Sequence, residues 1–304
     1  MKVLITGACG YIGSSLIRQL EKVLPGAHIV CYDNLSRNVH SFFLGPKLKN
    51  VNLEFVPGDL LDTRLLKELI NDEVDYIIHL AGMVTTPFAE TNFHLYDQVN
   101  HWGTSSLAMA AEGSSVKKIV FLSSTSVYGN IQNPVNESSI PNPTTSYSLS
   151  KFRAEKQLAR LSNQIDTTII RSANVFGYNE SMRVDAFVNK FAFEAKFLSR
   201  VTVRGDSSQK RPIVHVEYLA ELLAKVLLYD QSPEVLNVVD EHVTAEEVLE
   251  TIRDFIPEVE VIYSDQLLPQ TSLLVDSQFD TIKQIGTPKR SLKQSLEEIF
   301  EHFL

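Results

Sequence analysis

Three groups of residues in this 304-residue chain have the types and spacing for chemistry. Gly7, Gly10 and Gly13 stand in the run T-G-A-C-G-Y-I-G, directly after the strand-like KVLIT and at the start of a helical pattern. A pyrophosphate can approach a backbone only where side chains are missing, and here it would meet the positive end of a helix. The alternative, a tight strand-to-helix turn that binds nothing, is the weaker reading for three glycines in this context. Asp33 closes the next strand-like run, HIVCYDN, where a carboxylate can hydrogen-bond both ribose hydroxyls of an adenosine. That position favours NAD over NADP, although Arg37 nearby keeps a 2′-phosphate in play. Standing alone, Asp33-Asn34 would read as an ordinary turn.

The second group is Tyr147 and Lys151, four residues apart and on one face of any helix that carries them. A phenol titrates near pH 10, so it acts as a base near neutrality only where cations stabilise the phenolate, and Lys151 supplies one such charge. Without further support the pair would be an exposed i,i+4 contact. The third group is that support: the run KIVFLSS delivers Ser123, Ser124 and Thr125 to a strand's C-terminal end, where a hydroxyl can bond a reacting oxygen. The residues alone do not separate Ser124 from Thr125.

These groups need a frame. KVLIT, HIVCY, NLEFV, DYIIHL and KKIVFL alternate with helical or loop segments and are apolar on both faces. That pattern predicts an α/β fold of Rossmann type, a doubly wound parallel sheet covered by helices on both sides. From about Asn179 the texture turns more helical, predicting a dinucleotide-binding domain over residues 1–178 and a smaller substrate lobe over 179–304, with Val235–Val239 able to return to the main sheet. The Pro/Asn/Ser/Thr-rich stretch Asn133–Ser146 reads as a loop beside the tyrosine.

Composition narrows the classes. The 28 Lys+Arg against 37 Asp+Glu give a net charge of −9 with no basic block, which argues against a nucleic-acid partner. The two cysteines, Cys9 and Cys31, suit neither a disulfide framework nor a zinc site, so no metal is expected and a cytoplasmic setting fits. No apolar run is long enough to span a bilayer, and no membrane partner is expected. Trp102 and His79 read as packed structural residues, and SLKQSLEEIFEHF as an amphipathic helix packed on the lobe.

In order and at matching distances, TGACGYIG, YDNLS, GDLLD, HLAG, VNHWGT, LSSTSVYG, YSLSK, RSANVFG and RPIVHV make the chain resemble the extended short-chain dehydrogenase/reductases. The closer resemblance is to the NAD-dependent epimerase/dehydratase family and its nucleotide-sugar 4-epimerases. It implies NAD as cofactor, held by Gly7, Gly10, Tyr11, Ile12, Gly13, Asp33, Asn34, Asp59, Leu60, Ala81, Gly82, Asn100, Tyr147 and Lys151. It implies Ser124, Tyr147 and Lys151 as catalytic residues, Ser124 being the third residue before Val127-Tyr128-Gly129. Tyr147 would take a proton from a sugar hydroxyl while hydride passes to the nicotinamide, and an epimerase returns hydride to the other face.

Met83, Thr125, Asn174, Arg183 and Arg211 are implied at the substrate, a small-molecule nucleotide sugar, and a homodimer through Phe93–Glu112 and Ser146–Leu161. Two departures bear on the reaction. The family's 4,6-dehydratases place acids where this chain has Thr125 and Ser126. A second diphosphate-clamping arginine is missing from DQLLPQTSLLVDS, leaving Arg211 with Arg183, Arg204 or Lys210. The expectation is C4 epimerisation, with a keto-sugar reductase or dehydrogenase as alternative and a non-catalytic dinucleotide sensor as a third.

Overall fold

The structure, a computed structural model, describes residues 1–37, 41–45, 47–84, 93–131, 133–229, 232–264, 272–277 and 290–303. Its strands are β1 (Lys2–Thr6), β2 (His28–Asp33), β3 (Asn52–Pro57), β4 (Tyr76–His79), β5 (Lys118–Ser124), β6 (Asp166–Ser172), β7 (Asn174–Phe176), β8 (Arg200–Arg204), β9 (Arg211–His215), β10 (Val235–Val238), β11 (Glu241–Val243) and β12 (Glu260–Ser264). Seven of them form one sheet in the order β10-β6-β5-β4-β1-β2-β3, with every neighbour parallel. The inner strands are apolar runs because both faces are covered: β5 is buried along nearly its whole length.

The covering helices are α1 (Tyr11–Val23), α2 (Ser41–Leu44), α3 (Thr63–Asn71), α4 (Phe93–Tyr96), α5 (Gly103–Ala111), α6 (Ser146–Ala159), α7 (Phe187–Leu198), α8 (Val216–Leu227), α9 (Ala245–Arg253) and α10 (Leu292–His302). One core layer joins the sheet to α1 and α8, and the opposite layer joins it to α3, α5 and α6. A third core unites α7, α9 and α10 with β8 and β9, and the buried face of α10 is the amphipathic stripe of its sequence. From β1 the chain winds one way to β2 and the other way to β4. The strand order reverses there, and the crevice at the carboxyl ends of β1 and β4 is where such sheets bind ligands.

Two segments depart from a simple division at residue 178. After contributing β7, β8 and β9 outside the main sheet, the chain returns through α8, packed with α1, to β10, which pairs with β6. The Phe93–Glu112 stretch is also not one α-helix. Between α4 and α5 it runs through a π-helical turn, Asp97–Trp102, in which the Gly103 N–H bonds the carbonyl of Gln98. Such widened turns cluster at functional sites. This one exposes Trp102, which is 61% accessible and not packed as its helical position suggested.

Candidate active site

The glycine run turns from β1 into α1, and each glycine meets a different constraint. Gly7 has φ +70°, and a β-carbon on it would lie 2.7 Å from the Ala81 nitrogen. A β-carbon on Gly13 would lie 2.4 Å from the Ala8 carbonyl oxygen. Gly10 is the open one: its nearest obstacle is the Gly7 oxygen at 3.3 Å. Tyr11 and Ile12 follow as the first residues of α1, whose leading N–H groups have no carbonyl one turn behind them. Asp33 braces the loop, accepting the Cys9 N–H (3.0 Å) and the Leu35 N–H (2.8 Å). A carboxylate has further acceptor capacity, so these bonds leave it free to take ribose hydroxyls.

Beside Asp33, the Asn34 amide donates to Asp59 at 2.8 Å and the Tyr32 hydroxyl donates to the Asp59 carbonyl. Leu60 is buried against Gly103. Arg37 leans 3.6 Å from Asp185, a carboxylate that also takes Arg183 at 2.8 Å.

A hydrogen-bonded relay runs from β1 to the tyrosine. The Thr6 hydroxyl bonds His79 Nδ1 (2.6 Å), His79 Nε2 bonds Thr104 Oγ1 (2.9 Å), and Thr104 donates to the Asn100 carbonyl (2.5 Å). Because the Thr104 proton is committed to Asn100, His79 donates from Nε2, and burial, which disfavours a charged ring, leaves Nδ1 to accept from Thr6. The Asn100 side chain then clamps the backbone of Met83, at 2.7 and 2.9 Å, and donates to Ser150 Oγ. Ser150 in turn donates to the Tyr147 carbonyl (2.8 Å). The π-helical turn places Asn100 in this relay.

Burial pushes His79 down to about 3 and His215 down to about 4. The sign for stability follows. Between the ordinary value of 6.5 and those lower values the unfolded chain binds protons that the folded chain refuses, so stability falls as pH falls through that window. At pH 5 the loss is about 2 kcal/mol per histidine. The urea midpoint should therefore drop between pH 7 and pH 5, and His79→Gln should remove its share. A drop in His79→Gln as large as in the wild type would show that His79 takes up its proton in the folded chain.

α6 begins in a capping box, with Thr145 and Ser148 each bonding the other's backbone N–H, which places the cap at Thr145 and the helix start at Ser146. Tyr147 thus lies in the first turn and Lys151 in the second. Ser124 ends β5 with its hydroxyl close enough to the Tyr147 phenol to favour its ionised form. That contact separates it from Thr125, which is buried in the 3₁₀ turn that follows. Burial raises the Tyr147 phenol above its ordinary value, and Arg183 and Ser124 act in the opposite direction. Lys151 is buried over the Phe121 ring, and burial lowers it to about 7. A β-carbon on Gly82 would lie 3.7 Å from Lys151 Nζ and 3.0 Å from Asn100 Oδ1, so Lys151 and Asn100 share the space above Gly82.

The substrate candidates divide. Asn174 and Arg211 lie on paired strands β7 and β9, the Asn174 amide donating to the Pro212 carbonyl (2.9 Å) and Arg211 standing 4.7 Å over the Phe187 ring. Arg183 faces Tyr147 electrostatically while paired with Asp185. Met83 is fixed by Asn100. Within the arginine-poor run 265–277, residues 265–271 lie outside the described residues. Tyr96, buried and edge-on to Tyr147 with ring centres 6.1 Å apart, is a neighbour that spacing did not reveal, and so is Ser150.

The residues fit a dinucleotide: Gly10 leaves backbone open at a helix start, Asp33 ends β2 beside that loop with acceptor capacity to spare, and Lys151 Nζ projects over side-chain-free Gly82. Among the described residues no helix is long and apolar enough to cross a membrane.

Comparison with known proteins agrees. Residues 3–238 match the NAD dependent epimerase/dehydratase family. The dTDP-D-glucose 4,6-dehydratase of Dictyostelium discoideum is 29% identical over 255 residues, 78% of this chain but only 58% of that protein's length. The UDP-glucose 4-epimerase of Mycolicibacterium smegmatis is 32% identical over 234 residues, 74% of this chain and 72% of the relative. Two solved structures share the fold at 24% identity: MoeE5 in complex with UDP-glucose and NAD (TM-score 0.83, all of both chains), and the UDP-N-acetylglucosamine 4-epimerase of Methanobrevibacter ruminantium M1 (TM-score 0.84, 99% and 98%). A family match across most of the sheet, ending at the last strand to join it, together with the 4-epimerase relative, shows that this chain belongs to the NAD-dependent epimerase/dehydratase family.

Proposed function

We propose that the protein inverts a hydroxyl-bearing carbon, C4, of a nucleotide-activated sugar. NAD, when bound, supplies a hydride acceptor that becomes a donor in the return step. Gly10 and the first N–H groups of α1 would hold its pyrophosphate, Asp33 its adenosine ribose, and Lys151 its nicotinamide ribose. Because Arg37 leans on Asp185 while Asp33 stays at the ribose, the pocket favours a 2′-hydroxyl over a 2′-phosphate. Tyr147 takes the hydroxyl proton as hydride leaves carbon and returns it after the face is exchanged. Ser124 would hold the reacting oxygen and the phenol in line; Arg183 already acts on the phenol as a cation, and Lys151, one helical turn on, would add a second positive charge for the phenolate. Arg211 and Asn174 stand at one edge for the diphosphate.

The observation that favours epimerisation over water elimination is the pair Thr125 and Ser126 between Ser124 and Val127. Neither hydroxyl can replace the acids of the dehydratases. A panel of UDP-, GDP- and dTDP-sugars should yield a 4-epimer with no net NADH, and protein purified without added cofactor should release NAD on denaturation. Stoichiometric NADH formation would instead establish the dehydrogenase reading, and a dehydrated keto-sugar would overturn the one drawn from Thr125 and Ser126. Homodimerisation belongs to the same proposal: Phe93, Trp102 and Met109 expose 55, 61 and 68% of their surface along the α4–α5 segment. A monomeric mass by light scattering across concentrations would dismiss it.

A further inference from the structure

We propose that the buried Glu155–Arg171 ion pair is a positioning unit that locks Ser124 and Lys151 into register with Tyr147 and keeps Lys151 charged. The inference rests on the reading of Tyr147 and Lys151 given above. Glu155 stands on α6 one turn beyond Lys151 and two beyond Tyr147. Arg171, on β6, grips it with two bonds, Nε to Oε1 at 3.1 Å and Nη2 to Oε2 at 2.7 Å. The Ser123 hydroxyl, next to Ser124 on β5, donates to the same carboxylate at 2.5 Å. Arg171 Nη1 donates to the Tyr128 hydroxyl (3.0 Å), which donates to Asn237 Oδ1 (2.8 Å) on β10. One carboxylate therefore ties together the helix carrying Tyr147 and Lys151, the strand delivering Ser124 and, through Tyr128, the turn that follows it.

Energetics point the same way. Glu155 and Arg171 are 3 and 5% exposed, and burying two charges costs about what their attraction returns, so apolar residues of similar size would stabilise the fold as well or better. What apolar residues could not supply is direction and charge. Among the described residues the groups that meet Lys151 are the buried His79 from β4, the Asn100 amide from the π turn, the Phe121 ring from β5 and, as the acting anion, Glu155. Burial strips the Lys151 proton toward neutrality, and Glu155 opposes it. A neutral lysine would do nothing for a phenolate.

The test is Glu155→Gln, which keeps shape and removes charge. The Lys151 amine, followed by NMR of ε-carbon-labelled lysine and assigned with Lys151→Arg, should lose its proton about one pH unit lower or more. The alkaline limb of the pH–rate profile should move down with it. A Lys151 titration identical to wild type in folded Glu155→Gln overturns the proposal and leaves the pair as a brace of the fold. If the titration moves but the rate profile does not, Glu155 still governs Lys151, and the catalytic reading of Lys151 is what fails. Should the unpaired Arg171 prevent folding, the double variant Glu155→Gln/Arg171→Met carries no orphan charge and decides the matter by the same titration, a downward move supporting and no move refuting.

Discussion

Replacing Tyr147 by phenylalanine is expected to lower turnover by about 10³-fold or more, with the fold and the bound cofactor retained. A positioned proton-transfer group contributes roughly 10²–10⁴-fold, and this hydroxyl is the one that Ser124 contacts. Phenylalanine keeps the ring that packs edge-on to Tyr96, and the Thr145–Ser148 capping box is untouched. The structural cost is then about one hydrogen bond, on the order of 1 kcal/mol, too small to unfold a domain of this size. Turnover, NAD content and circular dichroism on the same preparation separate the effects. Undiminished turnover would remove Tyr147 from the mechanism. Burial raises the phenol, so wild-type activity should climb with pH on its acidic side, and Tyr147→Phe should flatten that limb.

How much of this site is visible before folding depends on whether its information is local. The central strands are legible because strands covered on both faces must be apolar throughout, and the glycine loop because one short run holds all three constraints. Tyr147 and Lys151 are legible because helical spacing puts i and i+4 together. The choice of Ser124, open between neighbouring hydroxyls on physics alone, draws its support from the 3₁₀ turn, which buries Thr125 while Ser124 acts on the phenol. Glu155 and Arg171 carry no such signal: 16 residues apart on different elements, they meet only because β6 lies next to β5 in the sheet. The π turn is hidden for a related reason, since one widened turn changes hydrogen-bond register without changing composition. The run V-L-N-V-V reads as a strand able to return to the main sheet, but nothing in it states that its partner there is β6.

The same locality makes the glycines separable by experiment, with Gly10→Ala expected to lose cofactor without losing stability and Gly13→Ala to lose stability first. Gly10 has φ −76°, a conformation open to any residue, and its single close neighbour stands at 3.3 Å. On the proposed placement of the pyrophosphate a methyl there would take up its space, so NAD affinity should fall about 10- to 100-fold, equivalent to about 1.4–3 kcal/mol of overpacking. The urea midpoint of the cofactor-free protein should hardly move. At Gly13, in the first turn of α1, alanine would gain up to about 1 kcal/mol of helix propensity. Its β-carbon, however, would sit 2.4 and 2.6 Å from the carbonyl oxygens of Ala8 and Gly7, and backbone atoms cannot turn aside as a side chain could. Overpacking of about 1–3 kcal/mol should therefore outweigh the gain and lower the midpoint even without cofactor. Calorimetric titration with NAD beside urea denaturation of both variants makes the comparison. Full NAD affinity in Gly10→Ala would mean that the pyrophosphate does not lie against this loop, and the dinucleotide would have to be placed elsewhere in the crevice.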